Sequence, residues 1–360
     1  MVQEQDQPLN LAMHTQVVPL KTVGNLSASG DALDVTHHLM VYIPPTEVEY
    51  HHLTARMLRR VLKLTKGTPD TAVFRKHTLG FVAMADRKLR LTAHIGTQSF
   101  TLPKAKRNSQ VRMVTSLSLN QLVSDGLLPS SPPFSDQDRL TIPIRYQVEG
   151  QTICQSNALV LANKGLSLVS DIDDTVKLSF VEDRKEMLSR TFLRPFEAVE
   201  GMSAVYQTIA SQFQASVHYV SSSPWQLYEP LESFLKEQKF PVDSIHLRKF
   251  TLKDVTLPKK FSPAAKRKRA AIENFLVQFP NRQVILVGDS GEKDPEIYGD
   301  IARKFPQQIA LIAIRNLKNE QITDFRYEHA WLQVEPSRQL LFDQPDELLN
   351  RLEELQNPHE

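Results

Sequence analysis

Two periodicities divide the chain. From Val17 to about Leu161, apolar and polar residues alternate with period two. Leu89, Leu91, Ala93 and Ile95 are separated by Arg90, Thr92 and His94; Leu140, Ile142, Ile144, Tyr146 and Val148 by Thr141, Pro143, Arg145 and Gln147. Neighbouring side chains of a strand face opposite ways, so this pattern predicts half-buried strands with one wet face, as in antiparallel sheets. One helix is expected among them, over residues 54–66, with Met57, Leu58, Val61 and Leu62 on one face and Gly67 as its stop. This half reads as a β-sandwich or small barrel, with Pro129, Pro132 and Pro133 in a surface loop. Residues 1–16 are expected to be flexible.

After Gly165 the pattern changes to strand, helix, strand, helix. Apolar runs near residues 166–170, 216–220, 243–247, 283–287 and 308–314 predict buried strands. Between them, a helix after Gly201 buries Val205, Tyr206, Ile209 and Phe213. Another, over residues 225–239, turns Leu227, Leu231, Phe234 and Leu235 inward. A closing helix over residues 345–356 carries Leu348, Leu349, Leu352 and Leu355 on one face, with Asp346 as its cap. The alternation predicts an α/β fold with a doubly wound parallel sheet. The expected division is a flexible stretch (1–16), a β-rich domain (17–162) and an α/β domain (163–360).

Composition narrows the partners. With 360 residues, 41% hydrophobic and 23% charged, the chain has the make-up of a two-domain globular protein. A net charge of +2 gives no reason to expect nucleic acid. The single cysteine, Cys154, excludes an internal disulfide and fits a reducing compartment. No basic start leads into an apolar run, and no apolar window approaches membrane-span length, so a cytoplasmic location with at most peripheral membrane contact is expected. The pairs His37-His38 and His51-His52 suggest a metal, but adjacent residues of a strand point to opposite faces and no cysteine or clear carboxylate set joins them.

The chemistry concentrates where two predicted strands end in acids. Asp171, Asp173 and Asp174 follow the apolar run ending at Val169, and Asp289 and Asp294 follow the run Val284–Val287. Like charges this close repel, and a hard divalent cation such as Mg²⁺ relieves the repulsion. In a parallel sheet both groups of acids would lie in the crevice outside the carboxyl ends of the strands. Asp171 at its strand tip is then a candidate nucleophile toward phosphorus, and Asp173 a candidate acid and base toward the leaving oxygen and water. Asp289 would complete the metal shell, and Asp294 would contact the metal's ligands or reach it through water. The competing reading is a solvated acidic turn. Lys177 either faces phosphate or pairs with Asp174. Ser221, ending the run Val217–Val220, offers a hydroxyl to phosphoryl oxygens beside the N–H groups of the next turn. The alternative makes the serines at 221–223 helix caps, which suits Ser222 or Ser223.

These strings resemble a known family. Asp171-Ile172-Asp173-Asp174-Thr175 is similar to the D-x-D-x-T loop of the haloacid dehalogenase superfamily, and Gly288-Asp289 with Asp294 to its acidic fourth motif. The closer resemblance is to the catalytic domain of actin-patch-type phosphatidate phosphatases, carried by residues 170–176, 219–228 and 288–298. It implies a haloacid dehalogenase-like sheet with little or no cap. It also implies Mg²⁺ held by Asp171, the main-chain carbonyl of Asp173, Asp289 and Asp294, and phosphate held by Thr175, Ser221, Ser222 and a lysine. Aligning Ala271-Ile272 with the family's helix selects Lys268 as that lysine, with Lys266 as the alternative. The implied reaction passes through an aspartyl-phosphate and converts phosphatidate to diacylglycerol and phosphate. A phosphoprotein or soluble phosphomonoester is the alternative substrate, and a non-catalytic phosphate-binding scaffold the alternative function.

Lys259, Lys260, Lys266, Arg267 and Lys268 could attract an anionic membrane, at about 1 kcal/mol per charge near the bilayer; the competing reading is a solvated helix face. Trp225 and Tyr228 form either an aromatic lip or core. The β-rich half is a candidate docking module for a partner or membrane. Oligomeric state is not legible.

Overall fold

The computed structural model describes residues 15–27, 29–57, 71–128, 139–248 and 264–356. They form two compact units, the first drawn from Met1–Leu53, Phe81–Pro133 and Arg139–Leu161, the second from Thr54–Gly80, Phe134–Asp138 and Ala162–Glu360. The expected flexible terminus before residue 15 and the proline loop at 129–133 lie outside the described residues.

The first unit is a nine-stranded sheet. Its strands are β1 (Gln16–Pro19), β2 (Val23–Leu26), β3 (Ala32–Ile43), β4 (Met84–Ala85), β5 (Thr92–Ile95), β6 (Gln98–Thr101), β7 (Gln110–Ser118), β8 (Arg139–Val148) and β9 (Gln151–Leu161). Pairing is antiparallel except between β2 and β9. The long β3 takes β7 and then β4 along one edge, and β2 and then β1 along the other. The period-two pattern holds in β8, where Ile142, Ile144 and Tyr146 are buried between exposed neighbours. Leu89 and Leu91 are also buried but precede β5, because the Asp86 carboxylate takes the N–H groups of Lys88 and Leu89 and bends the chain there. His37 is buried between Tyr146 Oη and Thr115 Oγ1, at 3.2 and 3.0 Å.

The helix expected over residues 54–66 starts earlier, as α1 (Glu47–Met57), and residues 58–70 lie outside the described ones. Its start was signalled by a capping box: Glu49 Oε2 accepts from the Thr46 N–H at 2.9 Å, and Thr46 Oγ1 accepts from the Glu49 N–H at 3.4 Å. His51 and His52 therefore sit exposed on a helix rather than on a strand.

The second unit holds six strands, β10 (Lys164–Ser170), β11 (Ser216–Pro224), β12 (Ser244–Arg248), β13 (Asn281–Asp289), β14 (Ile309–Arg315) and β15 (Gln339–Phe342). Every neighbouring pair is parallel, in the order β12-β11-β10-β13-β14-β15. After α3 (Leu119–Ser124) of the first unit, the helices here are α4 (Arg184–Phe192), α5 (Met202–Gln212), α6 (Tyr228–Glu237), α7 (Ala264–Gln278), α8 (Asp294–Lys304), α9 (Phe325–Ala330) and α10 (Pro345–Gln356). Val220, Val284 and Leu286 pack with Ile272 of α7, Ile301 of α8 and Trp331, the residue that follows α9. The opposite face meets α5, where Tyr206 stacks on Tyr219 at 6.5 Å and shares a hydrogen bond with Ser170 Oγ. Adjacent residues 219 and 220 face opposite layers, as a strand requires.

Three sequence expectations need correction here. The strand β15 was not foreseen, because four residues are too few for a period to show. Two helices rather than one separate Asp171 from β11; α4 was missed because its sequence is largely polar, and it is held by Asp183 accepting from the N–H groups of Lys185 and Glu186. The start of α10 is capped by Glu347 rather than Asp346: Glu347 Oε1 accepts from the N–H groups of Asp343 and Gln344, while Asp346 lies inside the first turn.

The helix α2 (Ala72–Val82) contributes its residues up to Gly80 to this unit. His77 Nδ1–H donates to the Thr191 carbonyl at 2.8 Å, and its ring stacks on Phe196 at 4.2 Å. A Cβ at Gly80 would lie 2.3 Å from the Gln226 carbonyl oxygen, so only glycine permits this approach.

Candidate active site

The strand order changes direction between β10 and β13, and both strands end in acids there. Ser170 pairs with Val287, the Asp171 N–H donates to the Val287 carbonyl at 2.9 Å, and Asp289 is the last residue of β13. Ligands of open parallel sheets bind in the crevice at this kind of reversal. Asp294 opens α8 five residues on. Its carboxylate lies so close to Gly288 that a Cβ there would be 2.2 Å from Oδ2, which is why the turn needs glycine.

Asp171, Asp289 and Asp294 each place a carboxylate oxygen within 4.8 Å of the others, and all three are buried. Lys268 of α7, 3% exposed, puts its Nζ 3.2 Å from Asp171 Oδ1 and hydrogen-bonds to Asp294 Oδ1. Neither oxygen of Asp171 receives a hydrogen bond, nor does Asp289 Oδ2. Asp289 Oδ1 accepts from the N–H groups of Gly291 and Glu292 at 2.7 and 3.1 Å. Burial pushes the Asp171 carboxyl well above the usual carboxylate range; Lys268 opposes this, and Asp294, Glu292 and Asp289 reinforce it. Asp289 is raised in the same way, by burial and then by Asp294 and Glu292. Burial would lower the Lys268 ammonium, but Asp171 and Asp294 outweigh it and hold it well above its ordinary value.

Asp173 is the opposite case, since both its oxygens are engaged. Oδ1 lies 2.8 Å from Lys177 Nζ and accepts from Ser179 Oγ at 2.6 Å. Oδ2 accepts from Ser223 Oγ at 2.7 Å and from Ser221 Oγ at 3.3 Å. Burial would raise this carboxyl, but Lys177 and the hydroxyls of Ser179 and Ser223 hold it far below the usual range. Asp174 is structural. At φ 54°, its carboxylate accepts the N–H groups of Ser179, Phe180 and Val181 at 2.7 to 2.8 Å, and its carbonyl accepts from Arg315 Nη1 at 2.8 Å. Lys177 therefore pairs with Asp173 and not with Asp174.

Ser221 lies beside Asp173, and its Oγ also accepts from the Ser223 N–H at 2.9 Å. Ser222 and Ser223 are not helix caps: β11 continues to Pro224, and the next turn begins at Trp225 with no side-chain cap. Thr175 is fully buried and its hydroxyl has no partner. Of the two candidate lysines, Lys268 reaches the carboxylates and Lys266 is exposed, as expected of residues two apart on a helix. Because Lys268 is internal, it drops out of the expected basic surface cluster, and Lys259 and Lys260 lie outside the described residues. Arg269 pairs with Glu273 and Asp300 along the helix face. Trp225 and Tyr228 are core, at 6% and 0% exposure.

Residues 166–316 match the model of the catalytic domain of phosphatidate phosphatase APP1. This segment belongs to the APP1 catalytic-domain family. The chain is 36% identical over 169 residues to an uncharacterized protein of Schizosaccharomyces pombe, covering 46% of this chain and 27% of that protein. It is 35% identical over 158 residues to Phosphatidate phosphatase APP1 of Saccharomyces cerevisiae, covering 43% of this chain and 26% of that protein. The chain thus spans little more than a quarter of either relative. The APP1-type segment contains all the acids described above, with Ser221 and Lys268; α2, α9 and α10 lie outside it.

Sequence reasoning missed three residues around the APP1-type site. Ser179 and Ser223 hold Asp173, and the row of three serines was the only local hint of the latter. Arg326, at the start of α9, donates to the carbonyls of Ser290 and Glu292, both at 2.6 Å, and so pins the turn between Asp289 and Asp294. Nothing near position 326 in the sequence announces this, because the two carbonyls it holds are over thirty residues away.

Proposed function

We propose that this chain is a Mg²⁺-dependent phosphoric monoester hydrolase of haloacid dehalogenase-like fold that converts phosphatidate to diacylglycerol and phosphate through an aspartyl-phosphate on Asp171. The observation that carries this reading is a buried carboxylate, Asp171, with both oxygens free of hydrogen bonds beside a lysine and two further acids. A solvated acidic turn would not be buried, and a structural carboxylate would be hydrogen-bonded, as Asp174 is. The substrate follows from the family of residues 166–316 and from the named yeast relative.

The donor set fits a hard divalent cation. Three buried carboxylates converge, Lys268 contacts only two of them, and Oδ2 of Asp171 and Oδ2 of Asp289 have neither a hydrogen bond nor an ion pair. Asp171, Asp289 and Asp294, with the main-chain carbonyl of Asp173, would hold Mg²⁺, which when bound offsets the negative charge of the phosphate and of the attacking carboxylate. Lys268 supplies positive charge from the other side and Ser221 offers its hydroxyl to a phosphoryl oxygen. An Asp171 oxygen bonds to phosphorus, the ester P–O bond breaks, and the leaving oxygen takes a proton, with Asp173 as its donor. Asp173 then takes a proton from water as the water oxygen bonds to phosphorus. Phosphate leaves, and the Asp171 carboxylate is restored. Asp173 is held ionised in the free site, so it takes up a proton from solvent before the first half and acts as the base in the second. No helix among the described residues is long and apolar enough to cross a membrane, and the proposed contact with lipid is peripheral.

The test is phosphate release from phosphatidate in mixed micelles, measured against soluble phosphomonoesters and a phosphopeptide. Activity is expected to vanish with EDTA and return with Mg²⁺. Faster release from a soluble ester or phosphopeptide moves the substrate to that class, and no release from any of them leaves a phosphate-binding scaffold. Arg326→Ala, which unpins the turn between two of the acids, is expected to weaken Mg²⁺ binding about 10- to 100-fold by calorimetric titration. Unchanged affinity would show that the turn holds its shape alone.

A further inference from the structure

The two aspartates of the Asp171-Ile172-Asp173 loop are held in opposite ways. Asp171 accepts no hydrogen bond, whereas Asp173 contacts three hydroxyls and one ammonium. That ammonium belongs to Lys177, whose side chain is 2% exposed. Burying a lysine is costly, and the site could have held Asp173 with hydroxyls alone.

The lysine is itself seated at several points. Its Nζ bonds to Ser179 Oγ and lies 4.9 Å from the centroid of the Phe196 ring. Phe196 is stacked by His77 of α2 at 4.2 Å and met edge-on by Phe234 at 5.8 Å. The backbone of Lys177 is tied as well, its N–H to the Ile172 carbonyl at 3.0 Å and its carbonyl to the Asp174 N–H at 2.7 Å. These contacts leave the Nζ little freedom, and its direct electrostatic partner is Asp173.

We infer that Lys177 is the positioning residue of Asp173, locking its carboxylate in the orientation needed for proton transfer while Asp171 stays free to attack. This rests on the hydrolase reading above. Proton transfer needs the carboxylate within hydrogen-bond reach of the leaving oxygen and of water, and displacements of about 1 Å cost rate steeply. Without Lys177 the hydroxyls of Ser179, Ser221 and Ser223 remain, but the negative charge has lost its ammonium partner and the carboxylate can turn toward water. His77 and Phe196 act one step further out, as the seat of the ammonium.

The experiment compares wild type, Lys177→Met, Lys177→Arg and Phe196→Leu in the full chain with Mg²⁺, on phosphatidate in micelles and on p-nitrophenyl phosphate. For Lys177→Met, kcat is expected to fall about 100-fold, the size of a lost proton-transfer group, with KM within about threefold. Lys177→Arg is expected to recover at least about tenfold of that loss, since it restores the charge. Phe196→Leu keeps the lysine and lowers kcat by about fivefold, a loss of roughly 1 kcal/mol of cation–π seating. It also serves as the test if Lys177→Met does not fold. A loss carried by KM, no recovery in Lys177→Arg, or an unchanged kcat in Phe196→Leu overturns the assignment. A wild type that is active and a Lys177→Met variant of equal kcat overturn this inference alone; a wild type inactive on both esters overturns the hydrolase reading with it.

Discussion

Asp171→Asn is expected to lower phosphate release by about 10⁴-fold or more, the scale on which loss of a covalent nucleophile acts, and to make the metal-free protein more stable. The first effect follows from the proposed role, as an amide oxygen does not form the phosphoryl bond. The second follows from geometry. Asp171 is buried, accepts no hydrogen bond and lies within 4.8 Å of two other carboxylates, with the single ammonium of Lys268 to offset all three, so its charge is a burden on the metal-free fold. Asparagine keeps the shape and removes the charge. The sign of the pH dependence follows from burial raising the Asp171 pKa in the folded state. Between the unfolded value, about 3.9, and the raised folded value, the folded state holds a proton that the unfolded state has lost, so stability declines as pH rises. The variant lacks this decline. The gap in thermal midpoint between variant and wild type, measured in EDTA, should widen as pH rises above the unfolded carboxyl value of about 3.9. A gap that stays flat or reverses would mean that the carboxylate is compensated in a way the geometry does not account for.

Lys268→Met should cost about 3–5 kcal/mol of stability without metal, the usual range when one partner of a buried ion pair is removed. Lys268 Nζ is 3.2 Å from Asp171 and hydrogen-bonded to Asp294, and both its partners are buried. Removing it leaves three carboxylates facing one another. Activity should fall at least about 100-fold, since positive charge beside the phosphate is a large part of electrostatic catalysis. Mg²⁺ should restore part of the stability and little of the activity, because the cation offsets charge but does not occupy the position of the ammonium. Urea unfolding in EDTA and in Mg²⁺ reads both effects. Lys266→Met is the control; the residue is exposed and its loss should change stability by no more than about 0.5 kcal/mol. Similar costs at 266 and 268 would refute the assignment of the buried cation.

The parallel strands other than β15 were legible because their apolar residues are bounded by turn residues, a signal contained in five to nine consecutive residues. The acid-bearing ends were legible for the same reason: Asp171 and Asp289 each stand at the end of such a run. Elements without a local apolar signature were not. The polar α4, the four-residue β15 and the association of α2 with residues 191, 196 and 226 depend on partners distant in the chain. Lys177 shows the limit clearly, since its spacing suits Asp173 and Asp174 equally well. The choice was made when Asp174, at positive φ, turned its carboxylate to the N–H groups of 179–181.

By itself the sequence determined that two buried strands carry acids at their carboxyl ends and that a basic helix precedes the second. Burial and strand direction follow from short-range periodicity, and the family's motifs are contiguous strings. Only the tertiary structure decided that β10 and β13 are neighbours, that Lys268 rather than Lys266 faces the acids, and that Ser223 and Lys177 hold Asp173. The Lys177 pair is local and was decided by the turn at Asp174; the others are contacts of a few ångströms between residues about fifty or a hundred positions apart, which leave no periodic mark in the chain.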